Sequence, residues 1–378
     1  MSDVEIISAD QLRQSGAAAD SAMCYLAALI ERGPAHYLDN ARVRMEALRI
    51  DGRVLPLVVS ERVADNSNVC SVYAHYHQYS ASEFARRFGS VRSLLLKPPR
   101  SLLGALFRIG SIDRNVYVNN WLLTTNPNHG LSFAHIAAVT GMLTQRYPGS
   151  AIIFRSVNPM CDRHGLDALR SNHYRNVPSR PIYIVDTKCR GFLERSNFQA
   201  DLARLKRTAY TIIEDPRELA PHAPRMAELY RELYLRKHSP LNPQYNREFF
   251  SMILEARFMN HRAFIKDGRV DAFFSYLLED GVMTASLIAY DLAVPQKLAL
   301  YRMGFALAIA EAAKRQMLLN LSAGAGEFKM LRGALPVQEY DAIYDRHLPM
   351  SRRLPWACLE AGARAGRHLS PPPQSVRR

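Results

Sequence analysis

Long apolar runs are missing from this chain. Its 378 residues are 48% apolar, yet a charged residue or a proline breaks every candidate before the ~20 residues that a membrane span requires. No membrane span is expected. Cysteine is scarce: Cys24, Cys70, Cys161, Cys189 and Cys358 are odd in number, scattered and never in a Cys-x-x-Cys arrangement. They read as reduced thiols of a cytoplasmic protein. The opening MSDVEIISAD holds acids where an export signal would hold Lys or Arg, and its only apolar run is Ile6-Ile7, so no export signal is expected. Acids are also outnumbered. Up to Arg190 there are 22 Lys/Arg against 15 Asp/Glu, and 27 against 20 after it, giving a net charge of +14. Both halves are therefore basic, which favours polyanionic partners such as CoA phosphates, a carrier protein or RNA, or else serves solubility.

Several catalytic signatures are absent too. There is no G-x-S-x-G, no Walker lysine and no G-x-G-x-x-G; Gly324-Ala-Gly326 offers only a small-residue turn after a strand, which excludes a dinucleotide fingerprint. His75 and His77 alternate on one expected strand, and Cys161-x-x-His164 is a half-site without a matching second pair. Exposed strand histidines and an isolated thiol explain them, and no metal site is expected.

What is present organises into two similar runs of elements. The length suits two domains. In the first run, a helix over 19–32 stops at Gly33-Pro34, and Asp51-Gly52 joins alternating strands over 43–50 and 53–59 as a tight hairpin. A strand over 116–124, a helix over 131–147, a short strand over 151–154, a small helix over 165–172 and a strand over 180–186 follow. The second run repeats that order, with Asp267-Gly268 as its hairpin turn. Between them, Thr187 to Ser196 is the expected join, giving units over 1–190 and 191–360. The tail over 361–378 has three consecutive prolines and no acid, and reads as disordered. Arg86 to Arg114 holds seven Lys/Arg and one acid interleaved with leucines, a helix expected to pack its Leu face and solvate its Arg face, or else to grip an anionic partner or a membrane surface.

The stretch Val282 to Ala334 is the most informative. An apolar strand, Val282 to Tyr290, ends in a Pro-containing turn; Leu298, Tyr301, Phe305, Ile309 and Ala312 then recur at helical spacing; Leu318 to Leu321 makes a short buried strand; and Gly324-Ala-Gly326 delivers Glu327-Phe328-Lys329 and Gly333. This is one parallel crossover with a site at its carboxyl edge. Its order of elements, with the helix over 198–208 and the strand over 210–214 as an opening, resembles the GNAT-like acyltransferases related to the Fem peptidyltransferases.

That resemblance implies a mixed α/β (α+β) chain of two tandem GNAT-like units, each a mixed twisted sheet flanked by helices. It implies N-acyl transfer from an acyl thioester, acyl-CoA or carrier-bound, to a small-molecule or peptide amine, with no tightly bound cofactor. Direct transfer needs no Ser or Cys nucleophile, only a deprotonated amine, a polarised carbonyl and a protonated leaving group. Lys329 stands at the family's aromatic-Lys position and is expected to stabilise the oxyanion or bind a phosphate, unless it is a solvated turn lysine. Glu327 would serve as general base if buried. Tyr290 and Asp291, at the end of the central strand, would donate to the leaving group and orient the amine, unless Asp291 is a turn residue. Gln296, Lys297, Tyr301 and Arg302, around the following helix's N-terminus, would hold the donor's phosphates. The usual pyrophosphate loop is absent, so two alternatives stay open: an aminoacyl-tRNA-dependent transferase of Fem type, and a silent GNAT-like module that binds RNA or protein.

Overall fold

The computed structural model describes residues 3–15, 21–61, 65–81 and 97–369. Its strands are β1 (Val4–Ile7), β2 (Arg44–Ile50), β3 (Arg53–Ser60), β4 (Asn115–Val118), β5 (Ala151–Val157), β6 (Arg175–Asp186), β7 (Thr211–Ile213), β8 (Asn260–Lys266), β9 (Arg269–Glu279), β10 (Val282–Tyr290), β11 (Leu318–Asn320) and β12 (Leu335–Tyr344). They form one mixed sheet in the order β1-β2-β3-β4-β5-β12-β6-β11-β10-β9-β8-β7.

The order reads the same from both edges. From β1 inward, three antiparallel pairs lead to the parallel pair β4–β5; from β7 inward, three antiparallel pairs lead to the parallel pair β10–β11. The sixth strand of each run is exchanged. β12 pairs with β5, β6 pairs with β11, and β6 and β12 pair with each other in the middle. The two mixed units expected from the sequence are thus two matching runs of five strands, held in one sheet by the exchanged pair.

Local chemistry accounts for the hairpins. Asp51 and Gly52 have φ of 44° and 82°, and Asp267 and Gly268 have φ of 50° and 72°. Two successive left-handed residues match the twist of the flanking strands, a conformation that Asp-Gly adopts at low cost. A third pair, Asp280 and Gly281 (φ 46° and 75°), joins β9 to β10, a turn that the sequence reading left unmarked.

The helix Leu300–Lys314 crosses from β10 to β11 and buries Phe305, Ala306, Ile309 and Ala312 against Phe274, Met283 and Leu319 of the sheet. No helix among the described residues is long and apolar enough to cross a membrane.

Several local expectations change, and the strand expected over 116–124 ends at Val118. His75 and His77 lie on a π-helical turn, Tyr73–Tyr79, and not on a strand. The helix Met350–Leu369 runs past residue 361, because Trp356, Leu359 and Ala363 pack on the core; residues 370–378 lie outside the described ones. From the basic stretch, the helix Lys97–Ile109 buries Phe107 but leaves Leu102 74% exposed, so its Leu face is only partly packed; residues 82–96 lie outside the described ones.

Candidate functional site

β10 and β11 stay together only briefly. Their parallel ladder covers Val282–Thr284 against Leu318–Asn320, after which β11 ends and β10 continues to Tyr290. A bulge at Ser286, between Ala285 and Leu287, re-aims β10 just past the last shared pair. β10 beyond Thr284 therefore has its β9 edge paired, and its other edge faces the gap, where the Ile288 N–H meets the Tyr234 hydroxyl.

A cavity of about 340 Å³ fills this gap. Ser286, Ile288 and Tyr290 of β10 form one side, and Tyr301 and Phe305 of the helix Leu300–Lys314 another. Their rings pack together, with centroids 5.4 Å apart for Tyr290–Tyr301 and 4.7 Å for Tyr301–Phe305. The loop Leu321 to Ala325 and Lys329 close the β11 side. Tyr234 and Lys237, at a π-helical turn Arg231–Arg236 and just after it, also line it, and Lys237 Nζ lies 6.0 Å from the centroid of the Tyr290 ring. Residues 1–190 contribute Tyr79, Thr124 and Arg180.

Lys329 is buried at 2% exposure. Its Nζ donates to the carbonyls of Leu321, Ser322 and Ala323 at 2.8, 3.2 and 2.7 Å, which accounts for all three ammonium protons. Burial, reinforced by the Arg180 charge, lowers its pKa to about 7, while the three carbonyls favour the charged form. The carbonyls belong to a loop in which Ser322, Gly324 and Ala325 all have positive φ (60°, 77° and 48°). Lys329 thus holds this loop in place and brings a positive charge into the cavity wall.

Arg180 enters on the exchanged strand β6, past the end of β11. Its Nε is 2.9 Å from Glu339 Oε2 and its Nη2 donates to Thr125 Oγ1 at 3.0 Å and to the Thr124 carbonyl. Nη1 has no hydrogen-bond partner among the described residues.

The other expected site residues divide. Tyr290 and Tyr301 line the cavity with Lys329. Glu327 is exposed and does not line it, so the condition for a buried base is not met. Asp291 faces away: it pairs with Arg225 at 2.6 Å and with Arg269 at 3.6 Å, and its Oδ1 accepts from the Ala293 N–H at 2.8 Å, which makes it a turn-stabilising carboxylate. Arg302 is committed to the fully buried Asp201, 2.6 Å from its Oδ1, and Arg332 takes the other oxygen at 2.6 Å. Gln296 and Lys297 are exposed on the short turn before the helix. Lys297 borders a second, open cleft of about 680 Å³ with Arg204, Arg207 and Lys266.

Sequence reasoning missed Arg180, Tyr234 and Lys237. Tyr234 and Lys237 had a weak signal, a Tyr/Lys/Arg-rich helix end at Tyr230–Lys237. Arg180 had none, since nothing in the sequence marks an exchanged strand.

No group of three or more His, Cys, Asp or Glu placed to hold a metal ion occurs among the described residues. No family model matches the sequence, and no curated protein matches it. Among solved structures, FemX is similar over 92% of this chain and 98% of its own, at 8% identity and a TM-score of 0.50. A conserved protein of unknown function from Bacteroides thetaiotaomicron covers 91% of this chain and 99% of its own, at 12% identity and a TM-score of 0.48. A tandem GNAT protein from the clavulanic acid biosynthesis pathway covers 91% and 98%, at 11% identity and a TM-score of 0.38. The fold is GNAT-like, similar to that of FemX.

Proposed function

We propose that this chain is an N-acyltransferase that moves an acyl group from a thioester donor, acyl-CoA or carrier-bound, to an amine in the cavity between β10 and β11. The observation that carries this reading is the edge of β10 that faces the gap past its bulge, which borders a cavity next to a buried lysine. Backbone N–H groups on that edge would hold the donor carbonyl, the Ile288 N–H exchanging the Tyr234 hydroxyl for it. The amine attacks the carbonyl carbon, the C–S bond breaks, and the thiolate takes up the proton the amine gives off. Lys329 stabilises the developing oxyanion through its charge, since its protons are engaged with carbonyls. The aromatic wall of Tyr290, Tyr301 and Phe305 suits the apolar part of an acyl group. Residues 191–360 supply most of this machinery, and residues 1–190 contribute Arg180. The GNAT-like fold supports acyl or aminoacyl transfer generally.

A second reading, aminoacyl transfer from a charged tRNA, is favoured by one observation. Arg204, Arg207, Lys266 and Lys297 surround the second cleft without a carboxylate among its lining residues. Such a cationic surface suits phosphodiesters. Salt titration separates the two. Acyl-CoA binding should weaken modestly between about 50 and 200 mM salt, whereas a tRNA held by many phosphates should lose orders of magnitude. A protein that stays folded yet binds neither at any salt is a silent binding module, and the transferase reading then fails.

A further inference from the structure

We infer that the amine acceptor is an amino acid or a similarly small amine carrying a carboxylate, with that carboxylate held by Arg180; the inference rests on the acyl-transfer reading of this cavity. Three observations carry it. Arg180, Lys237 and Lys329 all line the cavity, and none of its lining residues among those described is Asp or Glu. Arg180 is fixed through Nε and Nη2, and its Nη1 makes no hydrogen bond among the described residues. Glu339, which pairs with it, does not line the cavity.

The geometry limits the size of the occupant. β6 and β10 flank the place where β11 stops, a separation of about 10 Å at ordinary strand spacing. Within about 340 Å³, an acceptor anchored on Arg180 faces an acyl carbonyl held on β10. An amino acid, whose amine lies one carbon from its carboxylate, is short enough to fit between these strands with its amine toward β10.

Charge argues the same way. A plain ammonium would find no carboxylate among the described lining residues and three cations nearby, whereas a zwitterion brings its own counter-charge. Once the carboxylate is bound, the positive charge of Lys237 and, when protonated, that of Lys329 disfavour the ammonium form and leave a nucleophilic amine without a carboxylate base. In the transfer itself, the N–C bond forms, the C–S bond breaks, and the amine's proton leaves with the thiolate.

The test compares free amino acids with their C-terminal amides, first in binding to the full chain by calorimetry, without donor. The acids should bind about tenfold or more tightly than the amides, as a charge-assisted hydrogen bond provides. Equal binding of amides overturns the inference, as does inorganic phosphate competing as well as the acids. Acyl transfer from acetyl-CoA and octanoyl-CoA is then compared in the parent and in Arg180→Met/Glu339→Met, which removes both charges together so that neither is left buried alone. KM for the acids should rise about tenfold or more while KM for the amides stays unchanged. An equal change for both overturns the inference. Transfer to amides and acids alike in the parent sinks the carboxylate reading and leaves the transferase standing. Tight binding of acids with no transfer from any donor upholds the anion site and sinks the transferase.

Discussion

Arg180 of β6 and Glu339 of β12 face each other where the two exchanged strands shift register, with Arg180 Nε 2.9 Å from Glu339 Oε2. One strand comes from each half of the chain, so this ion pair fastens the halves at the centre of the sheet. It also orients a guanidinium on the cavity wall, linking assembly of the fold to assembly of the site.

Removing one member should therefore cost stability. Glu339 is 2% exposed and the Arg180 side chain 24%. Arg180→Met leaves a buried carboxylate unpaired, a loss of about 3 kcal/mol, at the low end for buried pairs because Arg180 keeps some solvent. Arg180→Met/Glu339→Met should recover most of it. Urea unfolding of the single variant within about 0.5 kcal/mol of the parent would mean that the pair does not hold the sheet together.

Arg302 should prove structural. Asp201 is fully buried and shared between Arg302 and Arg332, and Arg332 Nη1 also donates to the Phe328 carbonyl at 2.7 Å, next to Lys329. Asp201→Ala should lower stability by about 3–5 kcal/mol, because two guanidinium groups lose their carboxylate. Arg302→Gln should lower Tm while donor Kd changes less than about twofold. A large change in Kd with unaltered Tm would return Arg302 to the donor site.

Asp113 gives a pH signature. It is buried beneath the π-helical turn Tyr73–Tyr79, accepting from Ser71 Oγ at 2.7 Å and the Tyr73 N–H at 2.9 Å. Burial outweighs these bonds and raises its pKa from 3.8 to about 6. In that interval the folded chain holds a proton that the unfolded chain has lost, so stability from this group is full below 3.8 and falls as pH rises through about 6. Denaturant unfolding of the parent and Asp113→Asn across pH 3.5 to 7 should show the parent losing stability relative to the variant on going up. A flat difference would mean that Asp113 does not titrate there.

What could be read from the sequence was what local chemistry decides. Asp51-Gly52 and Asp267-Gly268 gave two hairpins, and the helical spacing of Tyr301, Phe305, Ile309 and Ala312 gave the crossover helix within a few residues. The strand Val282–Tyr290 and Lys329 at the cavity followed from the order of elements. Partners distant in sequence could not be read. The strand expected over 180–186 in fact begins at Arg175, and Pro178 and Pro181 sit at its register shift against β12, where the ladder is already interrupted. Arg302 looks like a free cation until Asp201, 101 residues away, is seen against it.

Lys329→Ala should lower turnover by roughly 10²-fold or more, the loss expected when one preorganised charge is removed from a reacting carbonyl. Two effects add in this residue. Its charge leaves the wall, and the loop carrying Ser322, Gly324 and Ala325 loses the ammonium that holds its carbonyls. Lys329→Met keeps the length and apolar packing while removing both, and Lys329→Arg keeps the charge on a wider, planar head that cannot sit on three converging carbonyls. If the field is what matters, Arg should retain more activity than Met; if loop geometry is what matters, the two should be equally impaired. Circular dichroism and Tm establish that each variant is folded, and rates are taken with the acyl donor at saturation. Turnover of a folded Lys329→Ala within threefold of the parent would remove this lysine from the mechanism.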